Sequence, residues 1–339
     1  MPANQMILLR RRPAGMPTED DFELSERSTA ELADGEALVK TIYLSLDPYM
    51  RGIMDEKDSY IPPVKLGEAM RGHVVGIVVE SRSATLAPGD HVHGMGGWQH
   101  YNVATATGTW RKIDPALAPL PAWLGPLGLP GWTAYIGLMD LGVPKPGETV
   151  VVSSAAGAVG TVAGQLAKIA GCRVVGIAGG PDKCRYVVDE VGFDACVDYK
   201  AGNLIGDLAE ATPDGIDINF ENVGGAVLDA VWPRMNRHSR TVVSGLIAQY
   251  NQTAPSPGPD WSTLLRNRIN VRGFIISDHI AEIPNAVQQV ARLLLEGRIR
   301  TRDDIVDGLD KAPSAFIGML NGKNFGKLMV RLAAAERRQ

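Results

Sequence analysis

Thr149-Val150-Val151-Val152-Ser153-Ser154-Ala155-Ala156-Gly157-Ala158-Val159-Gly160 is the stretch whose reading decides the fold. It opens with a short β-branched apolar run, the composition of a strand covered on both faces. A glycine-containing turn follows. Then Thr161-Val162-Ala163-Gly164-Gln165-Leu166-Ala167-Lys168-Ile169 places Val162, Leu166 and Ile169 on one helical face. A second branched strand, Arg173-Val174-Val175-Gly176-Ile177, comes next. Strand, glycine turn, helix and strand in that order make a βαβ unit.

In such a unit Gly157 lets backbone amides approach a pyrophosphate, and Gly160 lets the helix pack closely on the sheet. The pattern is a variant of the Rossmann dinucleotide fingerprint, with Ala155 in place of the first glycine. About 20 residues on, an NAD enzyme offers Asp or Glu to the ribose. Here the second strand ends in Ala178-Gly179-Gly180, followed by Pro181-Asp182-Lys183-Cys184-Arg185. Small residues leave room for a 2′-phosphate, and Lys183 or Arg185 is placed to neutralise it. The segment reads as a site for NADPH/NADP+, with Asp182 the alternative, a ribose ligand of an NAD enzyme.

Working outward, 339 residues suit two domains, each able to bury its own core. The net charge of −4 and an aromatic content of 6% argue against a nucleic-acid partner. The odd number of cysteines, Cys172, Cys184 and Cys196, suits reduced thiols in a cytoplasmic protein. Met6-Ile7-Leu8-Leu9 is too short for a signal peptide, and Arg10-Arg11-Arg12 follows it rather than precedes it. The uncharged run 116–139 contains Pro119, Pro121, Pro126 and Pro130, which argue against a membrane span. We read it as a connector leading into a buried helix at 133–141.

Residues up to about Pro115 carry short strand patterns at 36–46, 72–80 and around His91-Val92-His93, separated by turns such as Ala87-Pro88-Gly89-Asp90. From about Leu120 to Arg298 strands and helices alternate. Further strands are expected at 195–199, 215–220, 241–244 and 269–276, and helices at 183–191, 227–236 and 280–295. Six strands with intervening helices give an α/β class, a doubly wound parallel sheet. The last stretch returns to the first style, with a strand near 299–305, a helix near 313–320 and a strand at 326–332. The expected division is therefore 1–119 with 299–339 as a β-rich catalytic domain, and 120–298 as the Rossmann domain.

Together these residues resemble a known group. Leu46-Asp47-Pro48-Tyr49-Met50-Arg51, Leu129-Pro130-Gly131-Trp132-Thr133-Ala134-Tyr135, the glycine turn, Gly192-Phe193-Asp194 leading to Asp198-Tyr199-Lys200, Phe220-Glu221-Asn222-Val223-Gly224-Gly225 and Asn324-Phe325-Gly326-Lys327 carry the likeness. The chain resembles the zinc-independent medium-chain dehydrogenase/reductases, in the branch of leukotriene B4 12-hydroxydehydrogenase, prostaglandin reductase and curcumin reductase. The resemblance implies a GroES-like β-rich catalytic domain beside the Rossmann domain, a homodimer, and NADPH-dependent reduction of the C=C bond of α,β-unsaturated aldehydes and ketones. It implies that Gly157, Ala158, Val159 and Gly160 hold the pyrophosphate, that Lys183 meets the 2′-phosphate and that Tyr199 flanks the adenosine. Asn222, the Ser244-Gly245 segment up to Tyr250, Phe274-Ile275-Ile276 and Asn324 would line the remaining cofactor, with Tyr49 and Tyr250 facing the substrate. Phe325 stands where the family usually has Leu, and Glu221 where Asp is common.

That chemistry needs a donor for the carbonyl oxygen, where enolate charge develops. A tyrosine with a pKa of about 10 stays protonated at neutral pH, so Tyr49 or Tyr250 fits. Packing alone also accounts for Tyr49, a loop position for Tyr250, and turns for Asn222 and Asn324. No metal site is expected. His91 and His93 share a strand face with His100 nearby, but Gly72-His73-Val74 lacks a glutamate and no cysteine precedes Cys172. A quinone reductase of the same fold and a non-catalytic NADPH-binding protein are the rival readings.

Overall fold

The computed structural model describes residues 2–57, 59–105, 108–254 and 256–333. Pro255, in the polar 251–259 stretch, and residues 334–339 of the final segment lie outside the described residues. The chain forms two compact units, one of Met1–Leu124, Asp303–Asn324 and Leu328–Gln339, the other of Gly125–Arg302 with Phe325–Lys327.

The first unit begins with β1 (Ala3–Leu9) and β2 (Phe22–Ser28), an antiparallel pair. There follow β3 (Ala37–Ser45), β4 (Arg71–Ser81), β5 (His91–Gly97), β6 (Tyr101–Ala104) and the short β7 (Arg111–Lys112). Strand β3 is buried along nearly its whole length and pairs with both β4 and β6. Gly76 in β4 passes so near β3 that a Cβ there would sit 2.4 Å from the Lys40 carbonyl oxygen.

In the second unit α1 (Leu129–Tyr135) widens into a π-helical stretch, Ile136–Gly142, that ends at Val143 with φ 47°. Strands and helices then alternate: β8 (Thr149–Ser153), α2 (Ala158–Ile169), β9 (Arg173–Ala178), α3 (Pro181–Arg185), β10 (Ala195–Asp198), α4 (Leu204–Ala211) and β11 (Ile216–Glu221). After them come α5 (Gly225–Val231), β12 (Met235–Val243), α6 (Trp261–Asn267), β13 (Asn270–Gly273) and α7 (Ile283–Leu295). The six strands form one parallel sheet in the order β10-β9-β8-β11-β12-β13, so the strand order reverses between β8 and β11. This is the doubly wound sheet expected from the branched runs.

Local readings differ. The helix expected over 183–191 starts at Pro181, and its second half, Tyr186–Glu190, is π-helical. The helix expected over 227–236 stops at Val231, because Pro233 lacks the N–H a continuing turn needs. Met235 and Asn236 already belong to β12. Helices α4 and α6 were not expected; α4 is amphipathic but buries Leu208 alone, too narrow a stripe to stand out in the sequence.

The chain then returns to the first unit with β14 (Asp303–Asp307), α8 (Ala312–Leu320) and β15 (Lys327–Arg331), the last pairing antiparallel with β3. The sheet order there is β14-β15-β3-β4-β5-β7. Its core joins Leu9, Leu44, Met50, Met54, Met70 and Trp98. The Trp98 ring stacks on Phe22 at 5.7 Å and meets Phe316 edge-on at 5.6 Å. Burying each such side chain contributes about 1.5–3 kcal/mol.

Candidate active site

The turn after β8 is shaped by backbone contact. Ser154 takes φ 54°, unusual for a residue with a side chain, and its carbonyl accepts the Gly157 N–H at 2.9 Å. Gly157 caps α2, so Ala158, Val159 and Gly160 form the first helical turn, whose N–H groups have no partner within the helix. A Cβ on Gly160 would lie 2.3 Å from the Ser154 carbonyl oxygen and 3.0 Å from the Ala155 Cα. Only glycine permits that approach. Thr161 Oγ1 ties the helix back by donating to the Ala155 carbonyl at 3.1 Å.

Across the strand-order reversal, the carboxyl ends of β8, β11 and β12 are joined by a buried polar cluster. Glu221 and Ser153 are fully buried. One carboxylate oxygen of Glu221 accepts from Ser153 Oγ at 2.7 Å, Val223 N–H at 2.7 Å and Gly224 N–H at 2.9 Å. Its other oxygen accepts from Asn219 Nδ2 at 3.0 Å. Asn222 donates from its backbone N–H to Ser153 Oγ and from Nδ2 to the Ser153 carbonyl, each at 2.7 Å. Ser244 Oγ donates to Asn222 Oδ1 at 2.5 Å, and the Ser244 N–H to the Glu221 carbonyl at 2.9 Å. Asn222 and Ser244 are thus brought together, and Gly245 follows with its N–H on the same carbonyl at 3.3 Å. In the sequence the hub, Glu221, is only a departure from a family pattern. Nothing in its spacing marks it, since its partners lie up to 68 residues away.

Tyr250 closes this loop on itself. Its hydroxyl accepts the Leu246 N–H at 3.3 Å, which leaves its own proton to donate. Burial holds its pKa above the usual phenol value. A Cβ on Gly245 would come within 3.2 Å of that hydroxyl. Phe274 packs on the π-helical stretch, where a Cβ on Gly137 would lie 2.7 Å from its ring. Ile276 packs against the cluster of Trp132, Ile136, Ile283 and Ala286, with Ile275 half-buried between the two.

At β9 and β10 the surface is open. Tyr199 is 42% exposed, and its ring lies over Gly179, where a Cβ would be 2.8 Å away. The Asp198 carboxylate accepts from the Gly180 N–H at 2.7 Å and the Lys200 N–H at 2.9 Å, joining the two loops. Lys183 is half-buried on α3, while Arg185 and Asp182 pair with each other on its exposed face.

Phe325-Gly326-Lys327 packs with the parallel-sheet unit. Gly326 forms a parallel bridge with Gly157, and the Lys327 N–H donates to the Arg302 carbonyl at 2.8 Å. Phe325 meets Tyr186 edge-on at 5.0 Å, with the Arg302 guanidinium 4.3 Å above its ring. Asn324 belongs to the first unit and is half-buried.

In the first unit Tyr49 stands in the turn Pro48–Met54, after Asp47. Asp47 is buried, and the Ser45 hydroxyl donates to it. The Tyr49 hydroxyl points to Met95 Sδ at 3.9 Å. Burial, then the negative charge of Asp47, pushes the Tyr49 pKa well above 10, so it is a neutral donor across the physiological range. Arg51 locks the turn through Asp55 at 2.7 Å and the Gly15 carbonyl at 2.9 Å. The ring of His93 stacks on His73 at 5.1 Å, and burial keeps its pKa well below 6.5. Among the described residues no three His, Cys, Asp or Glu side chains group as a metal site. No helix among them is long and apolar enough to cross a membrane.

Comparison with known proteins defines the class. Residues 5–112 match the N-terminal domain of oxidoreductases, and residues 158–293 match the zinc-binding dehydrogenase domain. The chain is 46% identical to the NADPH-dependent curcumin reductase of Escherichia coli, over 97% of each chain. It is 38% identical to the NADP(+)-dependent 2-alkenal reductase of Nicotiana tabacum, over 98% of each. The crystal structure of CurA from Vibrio vulnificus in complex with NADPH superposes with a TM-score of 0.93 at 43% identity, covering 98% of this chain and 100% of that one. The chain belongs to the medium-chain dehydrogenase/reductase family, among the curcumin, alkenal and prostaglandin reductases.

Proposed function

We propose that this protein is an NADPH-dependent reductase of the C=C bond of α,β-unsaturated aldehydes and ketones. The observation that carries the reading is the likeness to curcumin and 2-alkenal reductases over nearly the whole chain. The residues of the nucleotide unit fit the cofactor. The Ser154 carbonyl leaves no room for a side chain at Gly160, so α2 starts close against the turn. Two glycines follow β9 and Lys183 stands on α3, while Asp182 pairs with Arg185 and the Asp198 carboxylate accepts the Gly180 N–H.

Bound NADPH supplies a hydride for the β-carbon of the substrate. Gly157, Ala158, Val159 and Gly160 would hold the pyrophosphate, Lys183 would meet the 2′-phosphate, and Tyr199 would flank the adenosine. Asn222, Ser244, Gly245, Phe274, Ile275, Ile276 and Asn324 line the rest. Tyr49 donates a hydrogen bond to the carbonyl oxygen as enolate charge develops, which its raised pKa supports. Tyr250, already accepting from Leu246, is the alternative donor. We assign no zinc to the reaction, in keeping with the histidines' packing against each other. We also assign a homodimer in the cytoplasm, to be checked by light scattering and fractionation, with the three cysteines as thiols.

The test is oxidation of NADPH with short alkenals, long enones and quinones, with product analysis and with EDTA present. Saturated aldehydes or ketones as products, in EDTA, are the expected result. Turnover of quinones alone would make the protein a quinone reductase, and no turnover would leave a nucleotide-binding protein.

A further inference from the structure

Arg302 is held in place by its backbone and by an aromatic ring rather than by an acid. It ends the run Gly125–Arg302, and Phe325–Lys327 packs with it in the same unit. The Arg302 carbonyl accepts the Lys327 N–H at 2.8 Å, and a Cβ on Gly326 would lie 2.1 Å from that carbonyl oxygen. The backbone thus carries the packing, while the side chain is exposed. Its guanidinium carbon lies 4.3 Å from the centroid of the Phe325 ring. That is well inside the roughly 6 Å over which a ring face attracts a cation. Among the described residues Arg302 forms no ion pair, whereas Arg185 pairs with Asp182 and Arg298 with Glu296.

The ring beneath Arg302 touches both parts of the proposed nucleotide site. Gly326, next to Phe325, bridges to Gly157, the residue that caps α2. The Phe325 ring also meets Tyr186 edge-on at 5.0 Å. Tyr186 follows Lys183 by three residues in the helical run that starts at Pro181, so the two side chains share a face. Through Phe325, Arg302 is therefore set beside the face that carries Lys183.

We propose that Arg302 is a second cation for the cofactor's 2′-phosphate, with Phe325 as the platform that orients it. An ammonium such as that of Lys183 is a point charge, whereas a guanidinium presents a planar fork that binds two phosphate oxygens at once. Stacking on a ring occupies the face of that fork and leaves its N–H edge for the phosphate. Holding the fork before the ligand arrives lowers the entropy lost on binding. A leucine at position 325 would keep the apolar contact but give the cation no ring to lie on. The assignment rests on the proposed NADPH reading, to which it adds a residue.

The test measures calorimetric binding of 2′,5′-ADP and 5′-AMP, which differ by the 2′-phosphate, to the full-length protein. Arg302→Ala should raise the Kd for 2′,5′-ADP about tenfold and leave that for 5′-AMP within about twofold, as loss of a charge-assisted hydrogen bond to the 2′-phosphate requires. Arg302→Lys, which keeps the charge without the planar fork, should recover part of the affinity. Phe325→Leu should weaken 2′,5′-ADP binding roughly threefold in wild type and not at all in Arg302→Ala, because the platform acts through the cation. The melting temperature of Arg302→Ala should hold, since the backbone carbonyl still accepts from Lys327. Unchanged 2′,5′-ADP binding in Arg302→Ala, or equal losses with both nucleotides, overturns the assignment. A loss from Phe325→Leu that is the same with and without Arg302 overturns the role of the platform. Wild type that binds both nucleotides equally overturns the NADPH reading itself. A wild-type preference for 2′,5′-ADP that is lost in Lys183→Ala and kept in Arg302→Ala sinks only the role of Arg302.

Discussion

At β8, β11 and β12 the carboxyl edge of the parallel sheet closes over a buried polar cluster, whereas at β9 and β10 the same edge opens to solvent. Glu221 and Ser153 are fully buried and satisfied by fixed donors, while Tyr199 is 42% exposed and Lys183 half-buried. A buried polar group must have partners to be tolerated, so the first region is built for position. Side chains at an open surface contribute little to stability. The two ends of the proposed nucleotide site should therefore fail differently when changed: the closed end through the fold, the open end through binding.

Glu221→Ala breaks the comparison most directly. It strands four donors and should cost about 3–5 kcal/mol, read as a lower urea midpoint at unchanged slope. A loss under about 1 kcal/mol would mean the cluster is not structural. Tyr49→Phe comes next and tests the β-rich unit. It removes a donor without changing shape, so kcat should fall about 100-fold with the KM for NADPH and the melting temperature held. Unchanged turnover removes Tyr49 from the mechanism. At the open end, Lys183→Ala should weaken NADPH binding by about 1.5–3 kcal/mol and spare both NADH use and stability. Equal losses with both nucleotides would falsify the 2′-phosphate role. Arg185→Ala is the smallest. It breaks an exposed i,i+3 pair with Asp182 and should change stability by less than about 0.5 kcal/mol. A large rise in the KM for NADPH would instead make Arg185 the phosphate ligand.

Legibility in the sequence followed the same division. The branched run of β8, the turn ending at Gly160 and the lysine after Gly179-Gly180 are contiguous features with local causes, so both the sheet and the cofactor class could be read from them. The helix expected across Met235 misled because Val227 to Trp232 has a helical apolar pattern, and only pairing with β11 and β13 drew the following residues into a strand. Glu221 was visible as a residue but not as a hub, because Ser153 reaches it across 68 positions. Phe325 differs from the leucine usual in the family, and its ring packs on Tyr186 and under Arg302.

By itself the sequence determined the alternation of strands and helices, the glycine turn and the basic character of the segment after β9. Each depends on side-chain shape, periodicity or φ preference within a few residues. Tertiary structure alone decided which polar groups meet. It set Glu221 against Ser153 and Gly326 beside Gly157. Those contacts join segments far apart along the chain, and sheet order, which no local pattern encodes, brings them together.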